Sequence, residues 1–168
     1  YDIKNWGNGF GLINVNNGGY FRGCENMDIT ATDTLNLTGV TDLSQIFYDC
    51  KSLIFNESIN NWDVQNVRKL KLSFINTDNF NQSLSDWNTS SINDFYGMFW
   101  NASAFNQDIS SWDFSSITGG GGLDVFMYLK NQNNYNPEYY DNLLIKWASD
   151  PSVGGLQPNI IGTIKMGT

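Results

Sequence analysis

The sequence predicts an α/β repeat solenoid of about four to five coils of ~25 residues, each a short helix plus short parallel strands, with a cap at either end. The first observation is a column of tryptophans. Trp62, Trp87 and Trp112 recur every twenty-five residues, with Phe55, Phe80 and Phe105 seven places before them. Ile59, Leu84 and Ile109 lie three places before the same indoles, and Val67, Ile92 and Ile117 five after. The second observation is a change of period inside each unit. Leu43, Ile46 and Phe47, like Phe95, Met98 and Phe99, follow i, i+3, i+4 spacing and read as one or two helical turns. The stretch that follows mixes extended pieces with tight turns. One coil cannot bury its own apolar side, whereas stacked coils merge those sides into one core.

Taken in order, residues 1–20 read as an irregular N-terminal cap, rich in Gly7, Gly9, Gly11, Gly18 and Gly19 around Trp6, Phe10 and Tyr20. The solenoid spans 21–117, in units of about 21–40, 41–67, 68–92 and 93–117. In the first, degenerate unit, Phe21-Arg-Gly-Cys24 matches Phe47-Tyr-Asp-Cys50, and Leu35 and Val40 match Trp62 and Val67. The second carries two extra residues between Phe47 and Phe55. Residues 118–168 hold a degenerate last coil and a closing segment. There Gly119-Gly-Gly-Gly122 interrupts the pattern, while Phe126 continues the Phe47, Phe74, Phe99 column. A capping helix is predicted over 137–148: Asn136 is a good N-cap, Pro137 suits the first helical position, and Glu138 favours the positive end of the dipole. Tyr140, Leu143, Leu144 and Trp147 form its inward face. Gln157-Pro-Asn-Ile-Ile161 reads as strand, and the polypeptide is expected to continue beyond it. With no initiating Met or export signal at Tyr1, the chain reads as processed or as a fragment.

The tryptophan column is read as core, because the units offer few other apolar residues to fill an interior. Burying each indole stabilises by upwards of ~2 kcal/mol, and truncation to Ala costs roughly 3–5 kcal/mol. An exposed row gripping sugar rings is the alternative. Asn56, Asn81 and Asn106, each following the repeating Phe, are read as buried core residues at a coil corner, a ladder that satisfies backbone groups of the neighbouring coil. Cys24 and Cys50 share a column with Thr77 and Ala102, which calls for a small buried residue. They read as packed free thiols. A disulfide between neighbouring coils is geometrically possible if the Cα atoms come within ~7 Å.

Composition narrows the function. The chain of 168 residues carries a net charge of -8 with nine Lys and Arg, which argues against nucleic acid or anionic membrane as a partner. It has no histidine, which removes Ser-His-Asp and Cys-His triads and imidazole metal sites. Two cysteines make no zinc site, and no DxDxDG-type calcium loop occurs. No metal, cofactor or catalytic residue is therefore assigned. No apolar run reaches the ~18–20 residues of a membrane span. Low charge with abundant Asn suits an exported or particle-surface protein.

Beside the tryptophan column, the outward positions are Asp63, Asn88 and Asp113, then Gln65, Ser90 and Ser115. Such a row of small polar and acidic groups can exchange hydrogen bonds with sugars or basic side chains, and equally reads as a solvated face. Carboxylates ~5–9 Å apart can hydrolyse glycosides without histidine. Asp86, Asp108 and Asp113 are the candidates for that minor alternative, though nothing singles out a pair. The cluster Arg68, Lys69 and Lys71 is read as a solvated helix start. Sequons at Asn36, Asn56, Asn81, Asn88 and Asn101 arise readily by chance in a chain so rich in Asn and Ser.

The unit Met98-Phe-Trp-Asn-Ala-Ser-Ala-Phe-Asn-Gln-Asp-Ile-Ser-Ser-Trp-Asp113 resembles the repeat of BspA-type leucine-rich-repeat surface proteins, a group that includes many Mycoplasma lipoproteins. Tyr140-Asp-Asn-Leu-Leu-Ile-Lys-Trp147 and Leu156-Gln-Pro-Asn-Ile160 resemble the closing segment of marine bacterial and phage members. The likeness covers roughly residues 20–161 and departs from the pattern at Leu53-Ile54 and at Arg68-Lys-Leu-Lys71. It implies a leucine-rich-repeat-like fold on a cell or virion surface or outside the cell. The implied role is adhesion or host attachment, without catalysis, through a protein or glycan of a host or neighbouring cell. The other reading is structural: a subunit of a fibre, sheath or virion decoration that contacts copies of itself.

Overall fold

The computed structural model describes residues 2–7, 11–13, 18–117 and 135–149. The expectations for Gly9, Phe10, Gly119–Gly122, Phe126 and the strand at 157–161 lie outside the described residues. A parallel three-stranded sheet runs in the order β1 (Asp2–Ile3), β2 (Asp28–Ile29), β3 (Ile54–Phe55). Its register pairs Ile3 with Ile29 and Ile29 with Phe55. Strand alternation puts Ile29 and Phe55 inside and leaves Ile54 outside. Isolated parallel bridges, Gly11 to Asn36 and Asp42 to Lys69 to Asp94, repeat the same unit-on-unit relation elsewhere.

The irregular cap expected at the N-terminus is thus, in its first residues, another strand. Side-chain carboxylates hold it. Asp2 accepts from the Thr30 hydroxyl at 2.9 and 3.0 Å. Asp33 accepts the backbone N–H groups of Trp6 and Gly7, both at 2.9 Å. Trp6 is thereby placed with its ring 6.1 Å from that of Trp62, edge to face.

The short helices expected at Leu43–Phe47 and Phe95–Phe99 are not helices but runs of linked turns. Within the run, Ile46 N donates to Leu43 O, Tyr48 N to Gln45 O and Cys50 N to Phe47 O, each three residues back. The intervening amides leave the unit altogether. Leu43, Gln45, Phe47 and Asp49 donate to Lys69, Lys71, Ser73 and Ile75 of the next unit at 2.9–3.1 Å. Leu70, Leu72, Phe74 and Asn76 donate in turn to Asp94, Tyr96, Met98 and Trp100. Residues on either side of each central Phe must be left-handed to aim their amides so. Gln45 and Asp49 have φ of 58° and 60°, Leu72 and Asn76 both 56°, and Gly97 and Asn101 58° and 57°. Gly19 and Gly23 take these two places in the first unit. The i, i+3, i+4 spacing survives because a turn and a helix both bring the third residue back over the first.

The core is built from columns of rings. Phe21, Phe47, Phe74 and Phe99 follow one another at 5.7, 5.5 and 5.7 Å. Phe80, Phe105 and Tyr135 continue at 6.0 and 6.4 Å. Trp62, Trp87 and Trp112 are 3, 4 and 0 % exposed, which places these indoles inside. Trp87 and Trp112 stack at 6.2 Å with planes 5° apart. Trp87 Nε1 donates to Ile59 O at 2.8 Å and Trp112 Nε1 to Leu84 O at 2.9 Å, so each indole is tied to the unit before it. Trp62 departs from the rule: its Nε1 is buried and meets no acceptor among the described residues.

The predicted capping helix is present as α1, Pro137–Ser149. Asn136 caps it, its side chain accepting from Glu138 N at 2.9 Å. Leu143 and Trp147 are buried and Tyr140 and Leu144 half-buried, with Trp147 set edge-on to Phe114 at 5.6 Å. Cys24 and Cys50 are both free thiols. Cys50, Thr77 and Ala102 are buried, but Cys24 is exposed, against the expectation of a uniformly buried column. It heads that column, with the Cys50 unit on one side of it.

Candidate binding surface

The predicted row lies on the surface. Asp63, Gln65, Asn88 and Ser115 are exposed, and Ser90 and Asp113 are half-buried. Each leading residue closes a turn on its own backbone. Asp63 Oδ1 accepts from Gln65 N at 3.2 Å, Asn88 Oδ1 from Ser90 N at 3.3 Å, and Asp113 Oδ1 from Ser115 N at 2.8 Å. An Asx turn of this kind fixes the side chain and its two successors in one conformation. The same turn recurs at Asp42–Ser44, Asn56–Ser58, Asp94–Tyr96 and Asp108–Ser110. Thr89 locks adjacent units here: its hydroxyl donates to Asp113 O at 3.0 Å and accepts from Asp113 N at 2.8 Å. The row is therefore both displayed and stiff.

The asparagines after the repeating Phe act across units, but from the edge of the core and not within it: Asn81 is exposed and Asn56 and Asn106 are half-buried, because each side chain reaches along the stack to backbone groups at the corner. Asn56 Nδ2 donates to Thr30 O and Ala31 O at 2.9 and 2.7 Å. Asn81 Oδ1 accepts from Asn106 N at 2.8 Å, and Asn106 Oδ1 from Asn136 N at 2.7 Å. The links run from side chain to backbone, so the amide groups do not stack directly on one another.

A direct side-chain ladder does exist at a place that the periodicity of apolar residues does not reveal. Asn101 Nδ2 donates to Asn76 Oδ1 at 2.9 Å, and Asn76 Nδ2 to Asp49 Oδ1 at 2.5 Å. All its members are left-handed residues of the turn ribbon. The signal was their alignment with Gly23: Gly, Asp and Asn are the residues that tolerate this backbone. Beside the ladder, Arg22 lies 4.3 Å over the ring of Tyr48 and Lys71 5.3 Å over that of Tyr96. Trp100 is among the exposed large hydrophobic residues of this face.

The carboxylates considered for glycoside hydrolysis are spoken for separately. Asp86 exchanges two hydrogen bonds with Asn60, at 2.8 and 3.1 Å. Asp108 accepts from Ser110 N and, at 3.4 Å, from Asn142 Nδ2, and Asp113 closes the turn at Ser115. Among the described residues no group of three His, Cys, Asp or Glu side chains is placed to hold a metal ion. None of their helices is long and apolar enough to cross a membrane. Arg68, Lys69 and Lys71 are exposed but start no helix: Arg68 N donates to Thr41 O, Lys69 sits in the parallel bridges to Asp42 and Asp94, and Lys71 opens a turn; Lys69 Nζ lies 3.9 Å from Asp42 Oδ2.

The described units thus belong to a class of repetitive chain in which successive segments share hydrogen bonds and a common aromatic core. The sequence pattern of a family described as "Mycoplasma protein of unknown function, DUF285" matches residues 16–136, and the chain belongs to that family. No curated protein and no solved structure matches it.

Proposed function

We propose that the chain is a leucine-rich-repeat-like solenoid of the BspA type, acting as a non-catalytic binding module on a cell or virion surface or outside the cell. Its role is adhesion or host attachment. The observation that carries this reading is the repeated outward turn. Asp63, Asn88 and Asp113 close the same Asx turn in successive units and present Gln65, Ser90 and Ser115 beside them. Parallel stacking spaces equivalent groups by ~4.8 Å, a repeat suited to an extended glycan or peptide. Rigidity lowers the ordering cost of binding. The resemblance to adhesion-associated surface proteins supports the same reading.

A glycan array combined with pull-down on host-cell envelopes tests it. Binding that Asp63→Ala, Asn88→Ala and Asp113→Ala together abolish, with the fold intact, is the expected result. Uniformly negative results with folded protein would remove adhesion. A second reading, a subunit of a fibre or sheath, is favoured by exposed Ile54 on β3 and Ile145 on α1. A strict monomer at high concentration, measured by light scattering, would count against it.

A further inference from the structure

Cys24 and Cys50 serve no purpose in the binding surface, yet they are placed together with unusual economy. They occupy equivalent places in adjoining units, between two inter-unit backbone bonds: Gly23 N to Tyr48 O at 2.7 Å, and Ser52 N to Glu25 O at 3.1 Å. The Lys51–Glu25 ion pair at 3.0 Å and the Ser52 hydroxyl on Glu25 O clamp the same register. Register partners in a parallel stack lie ~5 Å apart at Cα, inside the range a disulfide spans. The Cys50 side chain also reaches into the unit that holds Cys24. Its Sγ–H donates to Phe21 O at 3.0 Å, the same carbonyl that receives Cys24 N at 3.1 Å. Thr77 and Ala102 replace this pair further along the column, so the arrangement is confined to the first two units.

We propose that Cys24 and Cys50 form an inter-unit disulfide in an oxidising medium, with the exposed Cys24 as the point of entry and the buried Cys50 as the resolving thiol. With a small disulfide as oxidant, Cys24 thiolate attacks one of its sulfurs and expels one thiolate, leaving a mixed disulfide on Cys24. Cys50 then loses its proton, its sulfur attacks Cys24 Sγ, and the second small thiolate leaves. The two protein thiols give up two protons and two electrons, and the reagent is reduced to two thiols. The steps differ in speed for a physical reason. Burial, the largest cause, pushes the Cys50 thiol up to about 12. The resolving thiolate is therefore scarce at neutral pH, and the second step quickens by up to tenfold per pH unit below that value. The product would staple the first unit to the second and narrow the unfolded ensemble.

The test uses the whole chain with oxidised glutathione and intact-mass spectrometry over time at several pH values. The expected sequence is one glutathionyl adduct, then a monomer two hydrogens lighter than the reduced chain, with Cys24 and Cys50 joined in the peptide map. The second phase accelerates with pH, and the oxidised form melts roughly 5–10 °C higher than the reduced one. Cys50→Ser stops at the adduct. A wild-type chain that also stops there, reacts at both thiols, stays unmodified, or links only to other copies overturns the proposal. These readings need no variant, so a poorly folding Cys50→Ser does not blunt the test.

Discussion

Replacing single indoles by phenyl rings tests whether the tryptophans are fastened as described. Trp112→Phe removes part of a fully buried ring and the Nε1 bond to Leu84 O. Leu84 O keeps its second donor, Trp87 N at 3.2 Å, so the carbonyl is not orphaned. The lost bond is then worth about 1 kcal/mol, close to the ordinary net value. Loss of ring volume adds about 1–2 kcal/mol, giving about 2–3 kcal/mol in all. Trp62→Phe creates a comparable void among Trp6, Phe47 and Phe55. It also removes a buried N–H that has no acceptor among the described residues, which returns about 1–3 kcal/mol. The two substitutions should differ by about 2–4 kcal/mol, with Trp62→Phe near neutral. Urea denaturation followed by far-ultraviolet circular dichroism reads both, provided the m-values agree. Equal losses, or a greater loss at Trp62, would refute the assignment of the indole bonds.

Other substitutions probe the turn ribbon and the end of the stack. Gly18→Ala sets a Cβ against the backbone carbonyl of Ser44 at a φ of 58°, so it should lower the melting temperature markedly and release the first unit to early proteolysis. Asn76→Ala removes both bonds of the side-chain ladder and puts Ala at a φ of 56°, a cost of about 2–3 kcal/mol in thermal melts. Asn76→Gly relieves the backbone term and should recover about 1 kcal/mol of that loss. Burial, with the charge of Asp108 second, raises the Tyr135 phenol above its ordinary value of 10.0. The stability this lends is complete below about pH 10, where the unfolded phenol begins to ionise, and is lost as pH rises further. Tyr135→Phe should flatten the fall in stability above pH 10, and an unchanged slope would show that Tyr135 does not contribute it.

The aromatic columns were legible because a twenty-five-residue period leaves little else for Phe80, Trp87, Phe105 and Trp112 to do than meet in one interior. The turn ribbon was not. Leu43, Ile46 and Phe47 satisfy helical spacing, and an apolar pattern cannot show that Gln45 and Asp49 are left-handed or that alternate amides leave the unit. The aligned Gly23, Asp49, Asn76 and Asn101 carried that message in their backbone tolerance rather than their polarity. Four residues of the outward row are exposed and Ser90 and Asp113 half-buried, and Asp63, Asn88 and Asp113 also close turns. An Asx residue followed two places later by Ser, as in Asp113–Ser115, Asp108–Ser110 and Asp42–Ser44, was a readable sign of that duty. Strand β1 escaped notice because two residues are too few to show a period.

The ribbon's alternate amides all reach forward, from Leu43 to Lys69 O and from Leu70 to Asp94 O, and none of those bonds runs backward. Peptide dipoles so aligned add instead of cancelling, as they do along an α-helix. This wall therefore has an electrical sense, positive towards its later members and negative towards its earlier ones. Lengthening the array would deepen that contrast without reversing it.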